Sequence, residues 1–300
     1  MRGLLRPAAI AAGVAPDAAT LLHHREDPIV GSSGAATDAV TRVSGEIQVG
    51  MRTLPFSMIR KTFRPVTTGR HAAAAREPTH WAYWRRELLA YATGTVPAGP
   101  HLSGPRCLAV IGDAVFLTDV AGPAERARTA AERLGAWQAR TPIPDLPWLS
   151  GHQLAQRVAV SSLDWTAVDA PHDLRDMWKC RHELLAGLDA VPFVISHGDF
   201  HVRNLIASGE TTTVLDWGTL GKAPLGADLA HLALSSGEDL LDAYLAGLGN
   251  RFDRESVLRG YHTTIVLTAV SRAHWMLARG IIVPPNYLST ARTGMEHLGC

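Results

Sequence analysis

Residues 195–205 read Ile195-Ser196-His197-Gly198-Asp199-Phe200-His201-Val202-Arg203-Asn204-Leu205, and a little further on comes Val214-Leu215-Asp216-Trp217-Gly218. Apolar residues precede both His197 and Asp216, which places each where a strand runs out into a loop. Loops at strand ends, held by a rigid scaffold, are where reactive groups are carried. Asp199, Asn204 and Asp216 put three oxygen-bearing side chains on two such loops. A hard cation such as Mg2+ takes few carboxylates, an amide oxygen and the phosphates of a substrate. A carboxylate left unliganded can accept a proton from a hydroxyl. The set suits phosphoryl transfer, where catalysis is mostly positioning and charge neutralisation.

Working outward, the text changes character along the chain. Residues 22–37 read as loop, and 39–63 as strand, with Gly45 and Gly50 as turn signals. Residues 79–93 read as an aromatic-rich helix, and 107–111 with 114–120 as a hairpin across Gly112-Asp113. Helices are expected over 124–139, 172–189, 227–248 and 254–279, with short strands at 192–196, 204–207 and 212–215 between them. The expectation is an α+β chain of two lobes. A small β-rich N-terminal lobe spans 1–118, with 1–37 a poorly defined lead-in, and a larger, mostly helical lobe spans 119–300.

His-Gly-Asp-x4-Asn followed by apolar-apolar-Asp-Trp resembles the aminoglycoside phosphotransferase-like (APH/choline kinase-like) family of small-molecule kinases, relatives of protein kinases. The resemblance covers roughly 38–280. It implies a two-lobed protein-kinase-like fold, ATP or GTP with Mg2+, and a small-molecule hydroxyl acceptor bound against the helical lobe, an aminoglycoside or another antibiotic among the options. It further implies that Asp199 is the catalytic base, that Asn204 and Asp216 hold Mg2+, and that His197 orients the loop.

The front half offers matching parts. In Phe56–Phe63, alternation puts Ile59, Lys61 and Phe63 on one face of a strand and Arg60 on the other. In kinases a strand Lys contacts the nucleotide phosphates and pairs with a helical Glu, so Lys61 takes that part and Ile59 points towards the adenine. The plainer alternative is an edge-strand Lys that discourages aggregation. Glu87 falls beside Trp84 and Tyr91 at the edge of an apolar arc and is the expected partner; an ordinary Glu paired with Arg85 or Arg86 is the alternative. Glu77 is held in reserve, because it precedes Pro78. Leu117-Thr118-Asp119-Val120 looks like the inter-lobe linker, with Thr118 and Val120 against the nucleotide. No full glycine-rich loop is present, and Ser44-Gly45-Glu46 and Gly50 are the nearest to one. Asp228 reads either as a helix-start cap or as a brace for the catalytic loop, the role preferred here. Trp217 reads as packing.

Composition narrows the field. In 300 residues the net charge is +1, with 29 basic and 28 acidic residues. No basic run is present, so the electrostatic footprint of a nucleic-acid binder is missing. Cys107, Cys180 and Cys300 are far apart and fit a reducing cytoplasm better than a disulfide framework. No apolar stretch reaches the ~18 residues of a membrane span, and the Ala-rich start reads as a surface helix or frayed end. Residues 225–300 hold seven acidic residues and six Arg, which gives no support to a strongly acidic pocket for a polycation. Two rival readings stand beside the kinase. One is a metal-dependent hydrolase using His197, Asp199, His201 and Asp216. The other is a non-catalytic nucleotide-binding pseudokinase, disfavoured because Lys61, Asp199, Asn204 and Asp216 are all present.

Overall fold

The computed structural model describes residues 2–31, 34 and 36–299. Its front half runs α1 (Arg2–Ala11), β1 (Thr20–Pro28), β2 (Thr37–Val49), β3 (Arg52–Phe63), α2 (Arg86–Ala92), β4 (Leu102–Ser103), β5 (Cys107–Ile111) and β6 (Ala114–Thr118). The back half continues with α3 (Ala127–Arg140), α4 (Gln153–Ala159), α5 (His172–Lys179), α6 (Arg181–Ala186), β7 (Phe193–Ser196), β8 (Leu205–Ser208), β9 (Thr211–Val214) and β10 (Gly221–Pro224). It closes with α7 (Ala227–Ser236), α8 (Leu241–Leu248), α9 (Arg254–Leu277) and α10 (Pro285–Leu298).

The front lobe is an antiparallel sheet in the order β1-β2-β3-β6-β5. β3 lies at its centre and alternates as a pleated strand must. Phe56 and Met58 turn to the back face, buried with Val43, Ile47 and Phe116 beneath Ala8 and Ala9 of α1. Ala8 and Ala9 have small side chains, which lets α1 lie close to the sheet. Each large apolar side chain buried there contributes about 1.5–3 kcal/mol. Ile59, Lys61 and Phe63 turn to the front. Lys61 sits opposite Val40 of β2 and Val115 of β6, so strands on both sides fix its stem. Arg60 faces the back and pairs with Glu26 of β1 at 2.7 Å.

In the back lobe, Asp253 caps α9 by accepting from Ser256 N at 2.7 Å, which satisfies one of the free first-turn donors. Helices α3 and α8 cross at glycines. A Cβ on Gly247 would lie 1.9 Å from Glu132 O, and one on Gly135 would lie 2.3 Å from Tyr244 O. Strand β10 pairs with β7, and β8 and β9 form a hairpin that β4 joins in parallel. The chain after α2 is therefore docked on the helical lobe before it returns to the sheet as β5. One core runs from Phe63, Leu88 and Val115 in front to Leu229, Ile265 and Ala291 behind.

Several expectations change. The loop reading of 22–37 gives way over its first part to β1, paired with β2 from Thr20↔Gln48 to Pro28↔Thr41. The helix expected over 79–93 begins only at Arg86. The helix over 172–189 divides at Cys180. The one over 227–248 divides after Gly237, whose φ of 74° ends α7. The Ala-rich start is α1, packed rather than frayed. Gly45 lies within β2 and is not a turn. Cys107 and Cys180 are free thiols, and Cys300 lies outside the described residues. Among the described residues no helix is long and apolar enough to cross a membrane.

Candidate active site

Strand β7 delivers His197 into the loop at 197–204. Gly198 makes the turn at a φ of 78°, and a Cβ there would meet Gln153 Oε1 at 2.6 Å and Thr219 O at 2.9 Å. Only glycine meets both demands. Asp228 lies inside α7, whose N-cap is Gly226, so it is not the helix cap. Its carboxylate instead accepts from Ser196 Oγ, His197 N and Gly198 N, each at 2.9 Å. The loop is thereby pinned to the helix beneath it. His197 is fully buried. Its Nδ1 accepts from Asp199 N at 3.2 Å, which leaves Nε2–H to donate to Leu215 O at 2.9 Å. Its ring also packs edge-on against Trp217, with centroids 4.8 Å apart. The buried His197 thus ties the first loop to the second.

The second loop follows β9. Asp216 takes the left-handed conformation, φ 64°, and its side chain is 52% exposed. Lys61 Nζ donates to Asp216 Oδ1 at 2.8 Å and to Glu87 Oε2, on α2, at 2.6 Å. Burial works against the Lys61 charge, but Glu87 and Asp216 more than offset it and hold its pKa above the ordinary value. Burial pushes Glu87 up to about 7 against the pull of Lys61. Asn204 donates its amide nitrogen to Asp199 O at 3.0 Å, leaving its amide oxygen as the acceptor on that side chain. His201 Nε2 stands 3.5 Å from Asp199 Oδ2. Burial raises the Asp199 carboxyl, yet His201 beside it holds it well below the ordinary range.

These groups share one cleft of about 550 Å3, lined by Ile59, Lys61, Glu87, Thr118, Val120, Asp199, Asn204 and Asp216. His197 and Asp228 stand behind it as supports. Glu77 is exposed and takes no part. The cleft also draws on residues the sequence reading passed over. Ile29, Gly31 and Gly34, between β1 and β2, form part of its wall, whereas Gly45 and Gly50 do not. Arg42 lines it too, bonded through Nε to Asp119 Oδ2 at 2.8 Å. No spacing or motif marks them: Ile29, Gly31 and Gly34 lie in the loop expected there and Arg42 on the strand expected there, and only the fold turns them to the cleft.

A second cavity, about 570 Å3, lies across the 197–204 loop, with Gly198 and Asp228 in its wall. His274 and Trp275 line it. Arg70, Arg157, Arg272 and Arg279 line it as well. The hydrolase reading loses one of its four ligands, since both ring nitrogens of His197 are engaged. Among the described residues no group of three His, Cys, Asp or Glu could hold a metal ion.

Comparison with known proteins identifies the family and the fold. The model of the phosphotransferase enzyme family, APH, matches residues 111–261, from the end of β5 into α9. The chain belongs to this family. Solved structures share the fold of the phosphotransferase. A choline kinase from Streptococcus pneumoniae is 11% identical with a TM-score of 0.55, covering 93% of this chain and 94% of that one. A choline/ethanolamine kinase family protein from Mesorhizobium loti is 15% identical, TM-score 0.53, covering 92% and 91%. A spectinomycin phosphotransferase is 11% identical, TM-score 0.53, covering 99% and 98%. No curated protein matches in sequence. The chain is a small-molecule phosphotransferase with a kinase-like α+β fold.

Proposed function

We propose that the chain moves the γ-phosphoryl group of ATP to a hydroxyl of a small molecule, in the cytoplasm, where Cys107 and Cys180 stay reduced. The carrying observation is the meeting of Lys61, Glu87 and Asp216 at 2.6 and 2.8 Å on the cleft that also holds Asp199 and Asn204. Ile59, Thr118 and Val120 wall the adenine end. Lys61 contacts the α- and β-phosphates, and Glu87 positions it. Residues 1–118 carry the nucleotide and 119–300 the acceptor.

The donor set fits Mg2+. Asp216 turns a half-exposed carboxylate into the cleft, and Asn204 keeps its oxygen free by spending its nitrogen on the Asp199 carbonyl. Such a pair plus substrate phosphates is what Mg2+ accepts. Bound there, Mg2+ neutralises charge on the phosphates. Asp199, ionised at any working pH, orients the acceptor hydroxyl. As the hydroxyl oxygen bonds to the γ-phosphorus, the bond to ADP breaks and Asp199 takes the proton. His201 steadies that carboxylate, and Asp228 holds the loop beneath it.

The test is thermal unfolding with and without nucleotide. ATP with Mg2+ at about 100 Kd should stabilise the chain by about 2.7 kcal/mol, and ADP should form only when an acceptor hydroxyl is supplied. No shift with ATP, or a transition-metal requirement without one, would remove the kinase reading.

A further inference from the structure

The second cavity is rich in positive charge for which the described residues supply no ion pair. Arg157 and Arg272 form its half-buried wall, and Arg70 and Arg279 its exposed mouth. Among the described residues none of the four has an Asp or Glu oxygen in ion-pair range. The carboxylate in the same wall, Asp228, is occupied by the three loop donors already described and by Gln138 Nε2 at 3.3 Å. Arg157 rests on the Trp81 ring, 4.0 Å from its centroid. Its Nε is buried and has no hydrogen-bond partner among the described residues. Arg272 makes one long bond, Nη1 to Tyr287 Oη at 3.5 Å.

A guanidinium does not deprotonate to escape such a setting. A buried charge without a partner is costly, so a wall of this kind is stable chiefly when an anion completes it. Burial, with Arg272 and Arg70 close by, lowers Arg157 to about 10. Burial and then Arg272 lower His231, in the same wall, to about 3. Those directions mark a site that repels further protons. The wall also lies against the reacting group. Gly198 is part of it, and Asp199, the next residue, interacts with Arg157 by charge.

We propose that the acceptor is an anionic hydroxyl compound, with its hydroxyl at Asp199 and its carboxylate or phosphate on Arg157 and Arg272. The planar fork of each guanidinium matches either oxyanion. This reading rests on the phosphotransferase function above and fixes its substrate class. A polycationic aminoglycoside would meet like charge in this cavity, and a neutral polyol would leave the arginines unanswered.

Matched probes on one carbon skeleton decide it: glucose, gluconate and glucose 6-phosphate, with glycerol, glycerate and glycerol 3-phosphate as a smaller set and kanamycin as the cation. Thermal shifts are measured on the full chain with saturating ADP and Mg2+, so that the nucleotide cleft is filled. ADP release is then followed with ATP. At least one anionic series should stabilise the protein and be turned over, and the neutral and cationic compounds should do neither. The carboxylate and phosphate members separate the two oxyanions. Arg272→Gln should weaken the anion's effect by about tenfold or more, Arg157→Lys less than Arg157→Gln, each with the ADP shift intact. The inference falls if no anionic probe binds, if neutral or cationic probes match the anions, or if both Gln variants bind anions as the wild type does. A missing ADP shift would instead sink the kinase reading, and anion binding without ADP would still report on the cavity.

Discussion

The two cavities that share the 197–204 loop treat charge in opposite ways. In the nucleotide cleft the buried cation, Lys61, has two carboxylates within 2.8 Å, and Arg42 has Asp119. That side of the molecule is assembled before anything binds. In the helical-lobe cavity, Arg157 and Arg272 have no carboxylate in ion-pair range among the described residues. Paired charges there would rigidify a wall; unpaired ones wait for a ligand. A site whose charges are internally satisfied is built to position, and one whose charges are not is built to select.

The largest blow to this contrast should come from Asp199, which stands at the border. Asp199→Asn removes the proton acceptor and should lower turnover by about 1,000-fold. The nucleotide-induced thermal shift should survive. Near-normal turnover in that variant would dismiss Asp199 as base. Next comes Lys61→Met, which leaves Glu87 and Asp216 facing each other without their cation. A loss of about 100-fold in kcat/KM is expected, and steady-state rates against ATP concentration would expose an unchanged value.

A smaller effect follows from the buried imidazoles. His231 is lowered to about 3 and His71 and His262 to about 4, in each case chiefly by burial. Between those values and 6.5 the unfolded chain binds more protons than the folded one at these three sites, and Glu87, raised to about 7, works the other way. The imidazole contribution to stability is therefore full above about pH 6.5 and declines as pH falls through that window. A drop of a few degrees in Tm from pH 7.5 to pH 5 is expected, and a flat profile would contradict the neutral state of these rings. The smallest effect belongs to Arg279. It is exposed at the mouth, so Arg279→Gln should change the KM for an anionic acceptor by less than about threefold. A change as large as that of Arg272→Gln would place the anion at the mouth and not on the inner wall.

Much of the nucleotide cleft was legible from the sequence, since its chemistry is written in short spacings. His197 to Asn204 lie within one turn, and strict alternation around Lys61 fixed which face it shares with Ile59. What failed was of three kinds. Strand β1, Thr-Leu-Leu-His-His-Arg-Glu-Asp-Pro, is an edge strand wet on both faces, so no period-two signal exists to find. The arginine wall draws on positions 70, 157, 272 and 279, on separate segments. A near-neutral charge count over 225–300 conceals how the fold sorts those charges into one cavity. The helix over 79–93 failed for a third reason. Pro78, His80 and Trp81 are bent to offer their carbonyls to Arg86, a tertiary demand that overrides helical propensity.

That residue, next in sequence to Glu87, is fully buried. Its guanidinium donates to the carbonyls of Pro78, His80, Trp81, Trp148 and Gly218, the bond to Gly218 the longest at 3.3 Å. Trp148 and Gly218 belong to the rear of the molecule, so the helix bearing Glu87 is riveted to the floor beneath it. Any shift of the sheet against the helical lobe would therefore be felt first at the Lys61–Glu87 contact, the seam between a strand of the roof and a helix fixed to the floor.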